Sequence, residues 1–283
     1  MANILIIGCG DTGGRAGVLL AQAGHAVWGV RRSPFALPGV TALRADITRP
    51  FTLDIPPPDL VYILLSPDGP DEAGYARTFL DGLERIGAAL APFRPRRVFF
   101  VSSTSVYGEA HGEWVDENTR TAPARFNGRI LREAEQRAAA WWPTTVVRFG
   151  GIYGEGRERL LRWVREGKPV TPGQWTNRIH VQDAARLLAF LGERALAGEP
   201  VDSLYLGVDD APVLQEEVLD WLAEAMGLPP VPRLTGTAGE ANRRIRNRRI
   251  RDLGFAFLYP DYRAGYGALL AADRPAGDDH ASR

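Results

Sequence analysis

Short apolar runs separated by longer amphipathic segments recur through the first 150 residues of the chain. Residues 60–65 and 97–101 are almost wholly apolar, which is typical of parallel strands that are covered on both faces. Residues 72–90 and 131–142 carry apolar side chains at helical spacing. This alternation predicts an α/β protein with a mostly parallel sheet between two layers of helices. The other strands predicted in this region are residues 3–7, 26–30, 41–45 and 144–148.

The first predicted strand leads without a gap into Gly8-Cys-Gly10-Asp-Thr-Gly13, and a helical stretch over residues 15–23 follows. A G-x-G-x-x-G between a strand and a helix is typical of dinucleotide-binding Rossmann units, because its glycines let the backbone approach a pyrophosphate. The helix N-terminus adds N–H donors and a positive dipole end. We therefore predict a doubly wound, mostly parallel Rossmann sheet. Its predicted cofactor site includes Gly8, Gly10, Asp11, Thr12 and Gly13.

The end of the second predicted strand bears on the choice of cofactor. An acidic residue at this place would bind the ribose 2′-hydroxyl of NAD(H), whereas arginine accommodates the 2′-phosphate of NADP(H). The chain has Arg31 and Arg32 there and no acid. Guanidinium groups suit a phosphate well. We therefore predict NADP(H) in preference to NAD(H); the alternative is a solvated basic loop.

Composition narrows the classes of partner. Lys+Arg and Asp+Glu both total 34 among 283 residues, so the net charge gives no reason to expect nucleic acid or a membrane surface as a partner. Four scattered histidines and the single cysteine, Cys9, show no metal-ligand spacing, so no metal site and no intrachain disulfide are predicted. No apolar run approaches the roughly 18 residues of a membrane span. The first strand starts at residue 3 and leaves no room for a signal peptide, so we expect a cytoplasmic protein.

Beyond residue 153 the pattern changes to short helices and loops. Helices are predicted over residues 157–165, 181–196, 215–226 and 262–271, and a late strand over residues 203–207 is expected to rejoin the sheet. The polar stretch 235–251 is strongly basic but lacks the interleaved aromatic residues of a nucleic-acid surface, so we read it as structural or as facing a cleft.

Three further motifs accompany the glycine turn: Ser102-Ser-Thr-Ser-Val-Tyr-Gly108, Arg148-Phe-Gly-Gly-Ile-Tyr-Gly154 and Ile179-His-Val-Gln-Asp-Ala-Ala185. Together they resemble the short-chain dehydrogenase/reductase superfamily, in its extended, epimerase/dehydratase-like branch. The resemblance implies that Ser103 orients a substrate, that Asp46 bonds the adenine, and that Leu65 and Ser66 pass beside the adenosine ribose. Relatives of this branch often form dimers, so a homodimer is an expectation by analogy.

The resemblance also implies a division of the chain. We expect a nucleotide-binding domain of residues 1–154 and 181–207 and a smaller C-terminal lobe, of the substrate-binding type, of residues 155–180 and 208–272. Residues 273–283 are expected to form a frayed tail.

One departure from the family pattern limits the function. The family uses a Tyr as general acid/base and a Lys four positions later, and those positions fall on Asn127 and Leu131. Hydride delivery to a carbonyl requires a proton at the developing alkoxide, and neither of these side chains can donate it. Ser103 and Tyr107 are the predicted substitutes; the alternative for Tyr107 is an aromatic residue that closes the loop. Weaker candidates for acid/base work or for binding an anionic substrate are Glu109, Asp116, Glu117, Arg129, Arg132, Arg148, Arg157, Arg178 and His180.

Three functions remain open on these residues. The first is an NADP(H)-dependent oxidoreductase or epimerase-like enzyme that acts on an unknown small molecule, a carbonyl or sugar-nucleotide-like compound, with a non-standard proton donor. The second is a catalytically silent sensor that reports the state of NADP(H) to a protein partner. The third is a scaffold whose cofactor site is vestigial.

Overall fold

A seven-stranded parallel sheet forms the centre of the protein. The computed structural model describes residues 1–236, 239 and 241–272. Its strands are β1 (Asn3–Ile7), β2 (Ala26–Arg31), β3 (Val40–Arg44), β4 (Leu60–Ile63), β5 (Arg97–Ser103), β6 (Glu113–Val115), β7 (Thr144–Phe149), β8 (Gly151–Tyr153), β9 (Trp175–Thr176), β10 (Arg178–His180), β11 (Leu204–Gly207), β12 (Val213–Leu214) and β13 (Arg243–Ile245). Its helices are α1 (Asp11–Gln22), α2 (Glu72–Ala76), α3 (Gly82–Leu90), α4 (Phe126–Trp141), α5 (Arg159–Arg165), α6 (Val181–Leu196), α7 (Gln215–Ala225), α8 (Arg248–Asp252) and α9 (Tyr262–Ala272).

The order of strands in the main sheet is β11-β7-β5-β4-β1-β2-β3. The chain builds outward from β1 to β3 and then returns to the other side of β1 at β4. The carboxyl ends of β1 and β4 therefore flank the point where the strand order reverses, which is where open α/β sheets bind ligands. The doubly wound Rossmann prediction is confirmed, and β11 rejoins the sheet beside β7 as expected.

The continuous apolar run of β1 has a simple physical origin. Ile4 and Ile6 pack into the core on one face of the sheet, and Leu5 and Ile7 pack into the core on the other. All four side chains are fully buried. Because both faces of the strand are covered, neither set of alternating positions can be polar.

The helix predicted over residues 72–90 is interrupted by one wide turn. Residues 77–81 form a π-helical turn between α2 and α3. The hydroxyl of Thr78 donates to the Gly74 carbonyl and accepts from the N–H of Asp68. A side chain thus competes for an acceptor of the backbone ladder, which is a recognised cause of such irregular turns.

A third group of buried side chains lies away from the sheet. It draws on α5, α7 and α9 and includes Leu161, Leu219, Leu222 and Tyr266. This is the part of the chain expected to form the smaller lobe, and the boundaries of that lobe stay a prediction. The predicted tail, residues 273–283, lies outside the described residues. None of the helices in the described part of the chain combines the length and apolar character that a membrane span requires.

Candidate functional site

The glycine turn joins β1 to α1 at the switch point of the sheet. Gly8 has a φ of +89°, and a Cβ at this position would lie 1.8 Å from the Leu64 carbonyl oxygen at the end of β4. A Cβ on Gly13 would lie 2.8 Å from the carbonyl oxygen of Gly8. At Gly10 a Cβ would meet no atom within 4 Å. Two glycines are therefore required by the close packing of the turn, while the third leaves open space at its outer side.

The N-terminus of α1 faces this open space. Gly10 is the N-cap residue and supplies no side-chain acceptor to the first N–H groups of the helix. Thr12, in the first turn, is buried, and its hydroxyl has no hydrogen-bond partner among the described residues. Free N–H groups and a buried unpartnered hydroxyl beside a cavity are suited to an anion such as a phosphate.

Two cavities meet at the turn and form one cleft along the carboxyl edge of the sheet. The first, about 310 Å³, extends from the turn to the end of β5. The second, about 280 Å³, extends from the turn to the ends of β2 and β3. The predicted residues Gly8, Gly10, Leu65 and Ser66 line both cavities. The first is also lined by Asp11, Thr12, Gly13 and Ser103, and the second by Arg31, Arg32 and Asp46.

The two arginines at the end of β2 differ in their surroundings. Arg31 donates to the Ser33 hydroxyl and to the Pro34 carbonyl and lies over the ring of Phe35. Arg32 forms an ion pair with Asp68 at 2.8 Å, although 68% of its side chain is exposed. Arg31 is thus held by local contacts, whereas Arg32 spans the second cavity to the loop after β4.

Asp46 follows β3 and presents an ionised carboxylate to the second cavity. One of its oxygens accepts from both the hydroxyl and the N–H of Thr48. These hydrogen bonds lower the pKa of the Asp46 carboxyl, and the neighbouring charge of Arg32 lowers it further.

Ser103 ends β5 at the floor of the first cavity. Its oxygen accepts the N–H of Ser105 at 3.1 Å and so caps the single 3₁₀ turn formed by residues 104–106. The hydroxyl proton of Ser103 is therefore available for donation into the cavity. Ser102 lines the same cavity, is buried, and has a hydroxyl without a partner among the described residues. Ser102 was not predicted as a site residue; its place in the same serine-rich strand end as Ser103 is the signal that could have identified it.

Tyr107, the second predicted proton donor, lies in the core and not at the cleft. It is 2% exposed and is not among the residues that line the cleft. Its hydroxyl accepts from Arg148 at 2.7 Å and donates to the Asp116 carbonyl at 3.2 Å. Burial raises the pKa of Tyr107, and this effect outweighs the lowering by Arg148. The turn after Ser103 directs this ring into the core, so its placement supports a structural role.

The two positions of the family's Tyr and Lys lie on α4. Leu131 is buried and contributes an apolar wall to the first cavity. Asn127 lies one turn earlier, half-buried, and its side-chain oxygen has no partner among the described residues. The family's Tyr is absent from α4, so the first cavity takes its hydroxyl groups from other residues. They belong to Thr12, Ser66, Tyr75, Ser102 and Ser103.

The weaker candidates have other partners. His180 caps α6 by accepting the N–H of Gln182, and burial lowers the pKa of its imidazole. Glu117 accepts the N–H of Leu206, and burial raises the pKa of its carboxyl. The remaining contacts are between Arg129 and the Ala124 carbonyl, Arg132 and Thr121, Arg148 and Glu135, Asp116 and Thr119, and the Glu109 carbonyl and Asn242.

A polar cavity of about 340 Å³ adjoins the cleft on the side of the predicted smaller lobe. Ile152 and Arg157 line both it and the first cavity, so the two are neighbours. Arg178 is 5% exposed; one of its terminal nitrogens donates to Thr176 at 2.7 Å, and the other has no partner among the described residues. The other polar lining residues include Thr104, Arg159, Gln174, Asn177, Gln215 and Arg243.

Arg157 connects this polar cavity to the glycine turn. Its Nε lies 2.9 Å from one carboxylate oxygen of Asp11, and the Nε of Arg15 lies 2.8 Å from the other. Asp11 therefore does not point freely into the cleft. Asp11 and Arg157 were both candidate site residues, but 146 positions separate them and nothing in the sequence pattern predicted their contact.

Comparison with known proteins agrees with this geometry. The sequence model of the NAD dependent epimerase/dehydratase family matches residues 4–207. A solved candidate NAD-dependent epimerase/dehydratase from Methylobacillus flagellatus is 36% identical, covers 96% of this chain and 98% of its own, and superimposes with a TM-score of 0.80. MoeE5, solved with UDP-glucose and NAD, is 25% identical over 95% of this chain and 97% of its own, with a TM-score of 0.77. Protein YeeZ of Escherichia coli K12 is 28% identical over 92% of this chain and 97% of its own. The family model covers most of the chain, and the strand order of the sheet agrees with it. The chain therefore belongs to the NAD dependent epimerase/dehydratase family.

Proposed function

We propose that the protein is an NADP(H)-dependent oxidoreductase or epimerase-like enzyme that acts on a carbonyl or sugar-nucleotide-like substrate. The observation that carries the proposal is the continuity of the site. One cleft runs from Arg31 and Arg32 past the glycine turn to Ser103, and the arginine-lined cavity of the smaller lobe opens beside it.

The residues of the turn fit a dinucleotide. In the part of the chain that the structure describes, the space at Gly10 is open, the N-terminus of α1 has no side-chain cap, and the hydroxyl of Thr12 has no partner; all three features suit a pyrophosphate. Leu65 and Ser66 would lie along the nucleotide between the two cavities. MoeE5, a relative of the same fold, was solved with NAD. When bound, the nicotinamide supplies hydride exchange; the protein supplies binding, orientation and a partner for the substrate oxygen.

The preference for NADP(H) rests on the end of β2. Arg31 and Arg32 place two guanidinium groups at the second cavity. The ion pair of Arg32 with Asp68 is largely exposed and therefore weak, so a 2′-phosphate can compete for that guanidinium. Asp46 and Asp68 carry negative charge in the same cavity, so the arginines are needed to offset it.

Ser103 is proposed to act on the substrate oxygen. Its hydroxyl donates a hydrogen bond to the carbonyl, while the N–H of Ser105 fixes the oxygen of Ser103 from behind. A fixed donor stabilises the negative charge that develops as the carbonyl is reduced. Serine does not share the tuned acidity of a Tyr–Lys pair, so a slow chemical step is expected.

The polar cavity supports a substrate with an anionic group. Arg178 is buried, and one of its nitrogens has no hydrogen-bond partner among the described residues, so it can still donate to an acceptor that enters the cavity. A carboxylate or phosphate accepts from guanidinium in a defined geometry. This cavity therefore fits the polar portion of the substrate, with its reacting carbon directed toward Ser103.

The proposal is tested by NADPH oxidation with a panel of carbonyl compounds and sugar nucleotides. We expect at least one compound to be turned over. We expect Ser103→Ala to lower the rate by about 10²-fold or more while leaving NADPH affinity unchanged. Ser203→Ala, at an exposed serine that lines neither cavity, serves as a serine control and should change the rate far less. Turnover at the wild-type rate in Ser103→Ala contradicts the role of Ser103, and the absence of turnover with the whole panel contradicts the proposal that the protein is an enzyme.

A second candidate function is a sensor that binds NADP(H) and reports its redox state to a protein partner. The apolar wall formed by Leu131 and the burial of Tyr107 favour it, because both remove proton donors from the nicotinamide side of the cleft. A sensor predicts different affinities for NADPH and NADP⁺ and no turnover. A scaffold, in contrast, predicts that removal of nucleotide leaves partner binding unchanged.

A further inference from the structure

We propose that Arg157 sets the nucleotide affinity of the cleft by neutralising Asp11. This inference rests on the proposed binding of a dinucleotide at the glycine turn. Asp11 was predicted to help to bind the cofactor. Here its carboxylate instead repels the pyrophosphate, because both are negatively charged.

Asp11 lies where a negative charge is least suited to a dinucleotide. It is the first residue of α1, directly after the N-cap Gly10, and it lines the first cavity beside Thr12. Partial burial would raise the pKa of its carboxyl, but hydrogen bonds from Arg15 and Arg157 outweigh this and lower the pKa. The carboxylate is therefore ionised at neutral pH, at the place where a bound pyrophosphate would carry like charge.

The two arginines that neutralise Asp11 come from different parts of the molecule. Arg15 is one turn further along α1 and accompanies Asp11 in any arrangement of the protein. Arg157 is delivered by residues 154–157, which we call the strap, and lines the polar cavity as well as the cleft. The presence of Arg157 at Asp11 therefore depends on where the strap lies.

The strap is a tight turn with anchors of its own. Gly154 and Gly156 have φ values of +134° and +73°, and the N–H of Arg157 donates to the Gly154 carbonyl at 2.9 Å. Glu155 accepts from Gln182 of α6 at 2.7 Å and lies 3.5 Å from Arg15. These contacts tie the strap to α1 and α6, and they hold Arg157 beside Asp11.

Two simpler roles for Arg157 make different predictions. If the ion pair only anchors the strap, loss of either partner should weaken nucleotide binding by similar factors. If Arg157 binds the nucleotide directly, its loss should weaken binding equally with and without the Asp11 carboxylate. Neutralisation predicts instead that Arg157 matters only while Asp11 is charged.

The test is a double-mutant cycle on NADPH affinity, measured by fluorescence titration of the full chain. We expect Arg157→Ala to weaken binding about fivefold and Asp11→Asn to leave it unchanged or tighten it, by no more than about threefold. In the Asp11→Asn background, we expect Arg157→Ala to change affinity less than about twofold. Equal losses in both backgrounds, or a loss on Asp11→Asn alone, overturn the inference.

Two controls and one reference complete the design. Arg162→Ala removes the same charge from an exposed residue of α5 that lines neither the polar cavity nor the first cavity, and should leave NADPH affinity within about twofold. Arg157→Lys keeps the charge and should retain most of the affinity. Circular dichroism confirms that each variant is folded. If the wild-type chain binds no nucleotide, the proposed function fails together with this inference; if it binds without coupling, this inference fails alone.

Discussion

Arg148 and Glu135 form a buried, two-pronged ion pair in which Nη2 lies 2.6 Å from Oε2 and Nε lies 2.9 Å from Oε1. The third nitrogen of the guanidinium donates to the hydroxyl of Tyr107. The pair joins α4 to β7 and fixes the chain that leaves Ser103, so it supports the floor of the cleft from behind. The side chains of Arg148 and Glu135 are 5% and 1% exposed, which leaves little water to replace a lost partner.

We predict that removal of one partner of this pair strongly destabilises the protein. Glu135→Gln leaves the buried Arg148 uncompensated and should lower the free energy of unfolding by about 3–5 kcal/mol. Arg137→Ala, which breaks half-exposed pairs with Glu84 and Glu133 on the outer side of α4, should cost less than about 1 kcal/mol. Urea denaturation measures both. Similar losses for the two variants would show that the buried pair has no special weight.

Substitutions at two glycines of the turn are predicted to have different effects, one on stability and the other on nucleotide binding. Gly8→Ala places a Cβ against the Leu64 carbonyl and should destabilise the protein by more than about 3 kcal/mol. Gly10→Ala meets open space, so it should alter stability by less than about 1 kcal/mol yet weaken NADPH binding about tenfold or more.

A third glycine, Gly24, serves as a control that measures the cost to stability of a positive φ alone. Gly24 has a φ of +90° with no atom within 4 Å of an added Cβ, so Gly24→Ala should cost about 1–2 kcal/mol through conformational strain alone. Thermal unfolding and NADPH titration of the three variants check the set. If Gly10→Ala binds NADPH as tightly as the wild type, no pyrophosphate approaches the turn at that point.

His180 is predicted to make the protein less stable in mild acid. Burial lowers the pKa of its imidazole below the value of 6.5 that it has when unfolded. The unfolded chain then binds the proton more readily, so the stability contributed by neutral His180 is present above about pH 6.5 and is lost as the pH falls through the folded pKa. We expect His180→Gln to reduce the fall in unfolding free energy between about pH 7 and pH 5. An unchanged slope in this variant would assign the acid sensitivity to other groups.

Parts of the site that lie within one continuous segment of the chain were predictable from the sequence. The glycine turn follows β1 directly, and Ser103 ends an apolar strand, so each was placed at the sheet edge by its neighbours alone. The direction of Tyr107 was not predictable in this way, since it depends on one turn over residues 104–106 and on the distant partner Arg148.

Pairings between segments remote in sequence account for the other features that the sequence did not predict. β6 and β13 are three residues each, too short for a hydrophobic period, and they pair across more than a hundred positions. The ion pair of Asp11 with Arg157 likewise joins two segments that are remote in sequence. Such contacts form only when segments remote in sequence pack together, so local patterns do not reveal them.

The preference for NADP(H) is the central claim about the cleft, and calorimetric titration with NADPH and then NADH tests it most directly. We expect the wild-type chain to bind NADPH at least about tenfold more tightly, and Arg31→Ala/Arg32→Ala to reduce the two affinities to similar values. Arg85→Ala, at an exposed arginine of α3 that lines neither cavity, serves as a charge control that should keep the preference. Equal affinity for both nucleotides in the wild type, or a preference that survives in the double variant, would contradict the account.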